Sequence, residues 1–274
     1  MTAIALHAEP RWSVFAREQI IAVGLFMRRT GMLLLVLFGA GIGVCVFMAT
    51  QSIAMRATNP HAAHVNFTYS PAMSVLIMLI AFFLPFGVWQ DEDPRHRSYH
   101  WMMPVTRHTH TLTKAFAGWV WLMAATLLYL LVAVAIVVIT ERITGEPQSY
   151  GLTFAAWEWL VPFSAGTVAY LFVSAATVGS RQPIGWIVLV IALYLLLIYA
   201  LTIAGYPVAA KKVLSLYDGE YGARAAMMGR IEAFDAVHLQ AYSSLGRWLG
   251  STAIWGAIGG GLLVGTAHRR PSDV

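Results

Sequence analysis

Residues 115–140 read AFAGWVWLMAATLLYLLVAVAIVVIT and contain no Asp, Glu, Lys or Arg. A helix needs about 20 apolar residues to cross a bilayer, and a charge at the centre costs at least ~2.5–3.5 kcal/mol on insertion scales. Five further uncharged windows of sufficient length surround this one: 30–55, 57–90, 159–180, 182–210 and 248–268. The sequence therefore predicts an all-α integral membrane protein with six transmembrane helices, near 31–51, 71–90, 116–139, 159–180, 185–204 and 250–267.

The composition of the whole chain supports this prediction. Of the 274 residues, 58% are hydrophobic and 11% are charged, and the mean hydropathy is +0.66. A soluble domain carries roughly a quarter charged residues, so these values exclude a soluble enzyme, a disordered chain and a nucleic-acid-binding protein. The single cysteine, Cys45, excludes an internal disulfide framework and a cysteine-cluster metal site.

The distribution of basic residues predicts the orientation of the chain. With six spans, eleven Lys and Arg residues fall on the side that holds both termini and the 91–114 loop. The short segments on the other side contribute only Arg56 and Arg142. By the positive-inside rule, both termini and residues 91–114 are therefore expected on the cytoplasmic side. The predicted location of the chain is the inner (cytoplasmic) membrane of the cell.

The chain is expected to form one membrane domain, 1–274, with two additions to the spans. Residues 12–29 place Phe15, Val23 and Phe26 at helical spacing, which is typical of a helix lying in the membrane surface. The loop 205–249 on the outer side is long enough for helices of its own, and Met227, Ile231, Phe234 and His238 mark one helix face.

Several chemistries are absent or weakly represented. There is no P-loop for ATP, and no charged residue lies near the middle of a predicted span, which disfavours ion-coupled transport. His96, His100, His108 and His110 have spacings compatible with zinc or copper, but no further ligand set supports them. Ser164 and His268 fall at opposite ends of the bundle, which argues against a protease dyad. We therefore predict no enzymatic activity, no metal and no cofactor.

Glycines recur four residues apart in the first and last spans. They are Gly39 and Gly43, Gly256 and Gly260, and Gly261 and Gly265. Such pairs let two helix backbones approach closely. They predict tight helix packing, either within one protomer or across the interface with a second copy.

The loop after the second span combines charge with apolar side chains. It begins WQDEDPRHR at residues 89–97 and continues SYHWMMPVTR at 98–107, with Lys114 seven residues further on. An exposed segment of this kind is typical of a docking surface for a soluble partner. The alternative is an interfacial segment held by Trp101 and two methionines, with no partner.

At this loop the sequence resembles the permease subunits of ABC-2 type ABC transporters. Those subunits have an N-terminal interfacial helix with a basic–Glu pair followed by arginines, as in Arg17-Glu18 and Arg28-Arg29. They also have an acidic residue after span two, a coupling helix, Pro-Val-Ser/Thr-Arg and then a lysine that opens span three. Here those positions are Glu92, Pro104-Val105-Thr106-Arg107 and Lys114, whereas Ser98-Tyr99 stand near the place of the family's usual Gly-Thr. The motifs cover about 40 residues, and the remainder of the likeness is topology.

The resemblance implies a transport function and two protein partners. Two permease subunits would pair in the lipid bilayer, each on a separate ABC ATPase subunit, and the complex would act as an exporter. It assigns ATPase docking to the cytoplasmic coupling loop, at Asp91, Glu92, Arg95, Arg97, Trp101, Pro104 and Arg107. A non-transporting structural or assembly subunit of a larger membrane complex would use the same loop, and it is the alternative function.

Overall fold

The computed structural model of the chain describes residues 12–26, 28–58, 72–89, 106–144, 156–180, 182–228 and 245–269. These residues form helices joined by short turns, with no strand among them. In chain order the helices are α1 (Trp12–Phe26), α2 (Arg28–Thr58), α3 (Ala72–Trp89), α4 (Arg107–Thr144), α5 (Val161–Gly179), α6 (Pro183–Ile203), α7 (Pro207–Asp218), α8 (Ala223–Met228) and α9 (Leu245–Arg269), and a 3₁₀ turn, Ala156–Leu160, precedes α5. The predicted all-α class is confirmed.

Four helices are long and apolar enough to cross a membrane. These segments are His108–Ile143, Val161–Gly179, Pro183–Ile203 and Leu245–His268. The first two predicted spans fall on α2 and α3, whose apolar stretches, Leu35–Gln51 and Leu76–Trp89, are shorter. The described residues therefore contain fewer spans of full length than the six predicted.

The start of α4 differs from the sequence prediction. The helix begins at Arg107, nine residues before the predicted start of the third span, so 107–114 is helical rather than loop. Thr106 caps this end: its Oγ1 accepts the backbone N–H of Thr109 at 3.3 Å and lies 2.7 Å from the Thr109 hydroxyl. A threonine at this position satisfies an amide that would otherwise lack a partner in the first turn.

The core lies where α3, α4 and α5 meet. Its largest fully buried side chains include Ile77 and Leu84 from α3, Leu122 from α4 and Tyr170 from α5. The buried hydroxyl of Thr126 bonds to its own helix, donating to the Leu122 carbonyl at 2.8 Å. Internal bonds of this kind allow polar side chains to lie in an apolar bundle without an unpaired donor.

Helices α5 and α9 lie side by side and run in the same direction. Trp248 Nε1 donates to Ser164 Oγ at 3.1 Å near the start of both helices, and Gly179 lies against Thr266 near their ends. The intervening α6 must therefore cross in the opposite direction. No residue of α6 is buried in the described structure.

Between α6 and α9 the described residues form two short helices, α7 and α8. This agrees with the prediction of a helical loop in 205–249. The expected face from Met227 to His238 lies largely outside the described residues, which end here at Met228 and begin again at Leu245.

Candidate coupling surface

The predicted coupling loop connects α3 to α4, and the structure describes both of its ends. Trp89 is the last residue of α3, and Thr106 caps the first turn of α4. Of the predicted docking residues, Asp91, Glu92, Arg95, Arg97, Trp101 and Pro104 lie outside the described residues. Arg107 is the first residue of α4.

A cation–π contact joins the two helices beside the loop. The Lys114 ammonium lies 5.0 Å from the centroid of the Trp89 ring, and Lys114 is only 9% exposed. A desolvated contact of this type contributes up to about 2 kcal/mol. The family resemblance places Lys114 at the opening of a span, and the structure adds its neighbour, Trp89, the last residue of α3.

A buried hydrogen bond fixes α5 to α4 next to this contact. The Tyr170 hydroxyl donates to the Ala115 carbonyl at 2.8 Å, one residue after Lys114. Gly118, one turn further along α4, leaves the space that the Tyr170 hydroxyl and Val88 fill. A side chain at 118 would collide with the tyrosine, so the glycine permits this close approach.

The N-terminal helix α1 packs against the same part of α4. Trp121 Nε1 donates to the Ile20 carbonyl at 2.9 Å, and the Phe15 and His110 rings lie 6.3 Å apart. A Cβ on Gly24 would lie 2.6 Å from the Trp121 ring, which explains a small residue there.

The charged residues of the predicted interfacial helix fall into two groups. Arg17 and Glu18 are exposed on α1, whereas Arg28 and Arg29 lie in the first turn of α2. The predicted segment 12–29 thus covers α1 and the first residues of α2, and Met27 between them lies outside the described residues.

The end of α9 meets the start of α4. The rings of His108 and His268 have centroids 3.9 Å apart, and His268 Nδ1 lies 2.9 Å from the Val264 carbonyl of its own helix. Sequence analysis missed this pair, although it places the 91–114 loop and the C-terminus on the same side of the membrane. His108 and His110 therefore have different neighbours, and no group of three metal-ligating side chains occurs within the described segments.

The parallel course of α5 and α9 also shows how far Ser164, the serine considered as a protease nucleophile, lies from His268. Ser164 accepts a hydrogen bond from Trp248, which is 20 residues before His268 on α9. At 1.5 Å per residue, about 30 Å of helix separates the two. Ser164 and His268 do not form a dyad, as the sequence indicated.

The spaced glycines do not contact other described helices. A Cβ on Gly39, Gly43, Gly256, Gly260, Gly261 or Gly265 would meet no described atom within 4 Å. Close packing occurs instead at glycines that lie between the members of these pairs. Gly41 lies against Leu76 and Tyr129, and an ideal Cβ placed on Gly259 would lie 3.0 Å from Leu171 Cβ. Within the described segments, no other helix covers these glycines, so the structure does not decide between packing against a second chain and contact with lipid.

Comparisons of the chain with known proteins identify no relative. No model of a protein family matches the chain, and searches of curated proteins and of solved structures also find no match.

Proposed function

We propose that the chain is the transmembrane permease subunit of an ABC-2 type transporter, energised by a separate ABC ATPase subunit. In this proposal α2 and α3 also cross the membrane, which gives six spans with both termini in the cytoplasm. The subunit has no ATPase activity of its own. It pairs with a second permease subunit in the inner membrane and acts as an exporter.

One observation carries this proposal: the loop with the family-like motif connects two helices that are joined directly beside it. Lys114 lies over Trp89, and Tyr170 bonds to the next residue along α4. A displacement of the loop would therefore move α3, α4 and α5 together rather than bend one helix end. An ATPase that pulls on residues 91–107 could in this way change the arrangement of the spans.

The surrounding contacts support the same mechanism. Helix α1 packs against α4 through Trp121 and Phe15, and α9 reaches α4 through His268. Four helices, α1, α3, α5 and α9, thus contact α4 toward the end of the bundle where the loop begins and ends. A displacement of α4 at this end would therefore be transmitted directly to the helices that contact it.

The test is co-purification of the chain from its native membrane in a mild detergent. A P-loop ATPase should co-purify stoichiometrically with the wild-type chain. Reversing the charges at Glu92 and Arg107 (E92K/R107E) should release it, and for residues of a predicted loop we expect a folding cost of roughly 0.5 kcal/mol or less for each change. The matched control is E141K/R142E, which reverses one acid and one base near the opposite end of α4.

Retention of the ATPase by E92K/R107E would contradict the docking role of the loop. A stable complex that contains no ATPase would instead favour a structural or assembly subunit.

A further inference from the structure

Helix α7 folds back alongside α6 instead of continuing beyond its end. The Tyr194 hydroxyl on α6 donates to the Val213 carbonyl on α7 at 3.1 Å. Tyr194 precedes the end of α6 by nine residues, about 13 Å, and Val213 follows the start of α7 by six residues, about 9 Å. If α7 continued away from α6, the hydrogen bond would have to bridge both of these distances together, which a tyrosine side chain is too short to do. Helix α7 must therefore run antiparallel to α6.

The turn between the two helices accounts for this reversal. Gly205 has φ +79°, a conformation that L side chains rarely adopt, and Pro207 then begins α7. The Tyr206 amide bonds back to the Leu201 carbonyl at 2.9 Å, which closes the end of α6.

Contacts just beyond the end of α7 place the segment beside α9 as well. Ser251 Oγ donates to the Gly222 carbonyl at 2.6 Å, and Trp255 Nε1 donates to the Tyr221 carbonyl at 3.0 Å. These two residues lie six and ten positions after the start of α9, about 9–15 Å along it. The segment 207–222 is therefore a re-entrant hairpin arm beside helices that are long and apolar enough to cross a membrane.

This arm carries two lysines, Lys211 and Lys212, both exposed. Neither forms an ion pair with a carboxylate of the described residues, and the acids at the tip have other partners. Asp218 pairs with Arg224 at 2.7 Å, and Glu220 pairs with Arg247 at 2.6 Å. Two ammonium groups at membrane depth are costly unless an anion or water accompanies them.

The direction of the helix determines where these ammonium groups can reach. Helical side chains tilt toward the N-terminus of their helix, which for α7 is the end at the membrane surface. Lys211 and Lys212 begin about 6–8 Å below that end and can extend toward the headgroup layer. Exposed apolar residues of the same helix, Val208 and Leu216, suit contact with acyl chains.

We propose that Lys211 and Lys212 form a binding site for the phosphate of an anionic phospholipid headgroup. Charge complementarity and depth both favour a lipid over a soluble anion, because the lipid supplies phosphate at the headgroup level and acyl chains below it. The proposal goes beyond the proposed function and requires only that α6 crosses a membrane.

The experiment measures bound phosphatidylglycerol by native mass spectrometry of the full-length chain in a mild detergent. An ammonium near anionic lipid changes affinity by about fivefold, so K211Q/K212Q should bind phosphatidylglycerol about 25-fold more weakly than wild type. K211R/K212R should retain binding, since it keeps both charges. R142Q removes a different exposed basic residue, on α4, and should leave binding unchanged.

Three outcomes would overturn the proposal. The first is equal binding by wild type and K211Q/K212Q, and the second is loss of binding in K211R/K212R. The third is displacement of phosphatidylglycerol by excess inorganic phosphate, which would indicate a site for a soluble anion. If the first outcome is accompanied by dissociation of a dimer in K211Q/K212Q, a second copy of the chain covers the lysines.

Discussion

Substitution of the adjacent glycines 259 and 260 tests the packing of the last helix. An ideal Cβ on Gly259 lies 3.0 Å from Leu171 Cβ and 3.3 Å from Phe172 Cδ2, whereas a Cβ on Gly260 meets no described atom within 4 Å. Leu171 Cβ is attached directly to the α5 backbone, so it can move only if α5 moves. Phe172 can relieve its own contact by rotating.

The expected effects follow from this difference. G259L places three further carbon atoms into the α5–α9 contact, and overpacking a fitted core costs about 1–3 kcal/mol. G260L adds the same atoms where no neighbour is described, and replacing a helical glycine gains up to about 1 kcal/mol in helix propensity. We therefore expect G259L to lower the free energy of unfolding by about 1–3 kcal/mol and G260L to leave it unchanged or raise it.

The assay is equilibrium unfolding of each purified variant in mixed detergent micelles, followed by circular dichroism, with oligomer mass measured in parallel. G259L as stable as wild type would refute the α5–α9 packing described here. Equal destabilisation of a monomeric G260L would also refute it. If the face containing Gly256, Gly260 and Gly261 contacts a second copy, as the sequence spacing suggests, G260L should reduce the oligomer mass without destabilising the protomer.

Three further predictions concern other contacts. Y170F removes the buried bond to the Ala115 carbonyl and should cost about 0.5–1.5 kcal/mol in thermal unfolding, while Y199F, at a 65% exposed tyrosine, should have no effect. Cysteines introduced at Ser98 and Ser149 should react with an impermeant thiol reagent from opposite sides of sealed vesicles, and reaction from one side would contradict the six-span topology. W248F removes the indole donor to Ser164 and should increase proteolysis of the segment after α8, whereas W186F, at a 56% exposed tryptophan, should leave it unchanged.

The sequence predicted the helices well wherever a long uncharged window coincides with one helix. Helices α5, α6 and α9 begin and end within a few residues of the predicted spans, because the limits of each window are set by charged or turn-forming residues such as Arg181 and Gly205. The start of α4 was misjudged because basic and polar residues were counted as loop. The cap at Thr106 shows that a helix can extend beyond its apolar portion.

Contacts between helices were harder to predict than the helices. Glycine spacing identified helices rich in small residues, but Gly41 and Gly259 contact neighbouring helices, whereas the glycines of the spaced pairs meet no described atom. Spacing along one helix carries no information about which face another helix covers. The antiparallel course of α7 depends in the same way on Tyr194 and Val213, which are 19 residues apart in sequence and are joined only in the folded chain.

The central claim, that the loop 91–107 docks an ATPase subunit, is tested most directly by site-specific photo-crosslinking in the native membrane. A photoreactive amino acid at Trp101, in the predicted coupling loop, should crosslink to a P-loop ATPase. The same probe at the exposed Leu216 of α7 should give no such product. Crosslinking of position 101 only to lipid, or to a protein without a P-loop, would contradict the claim.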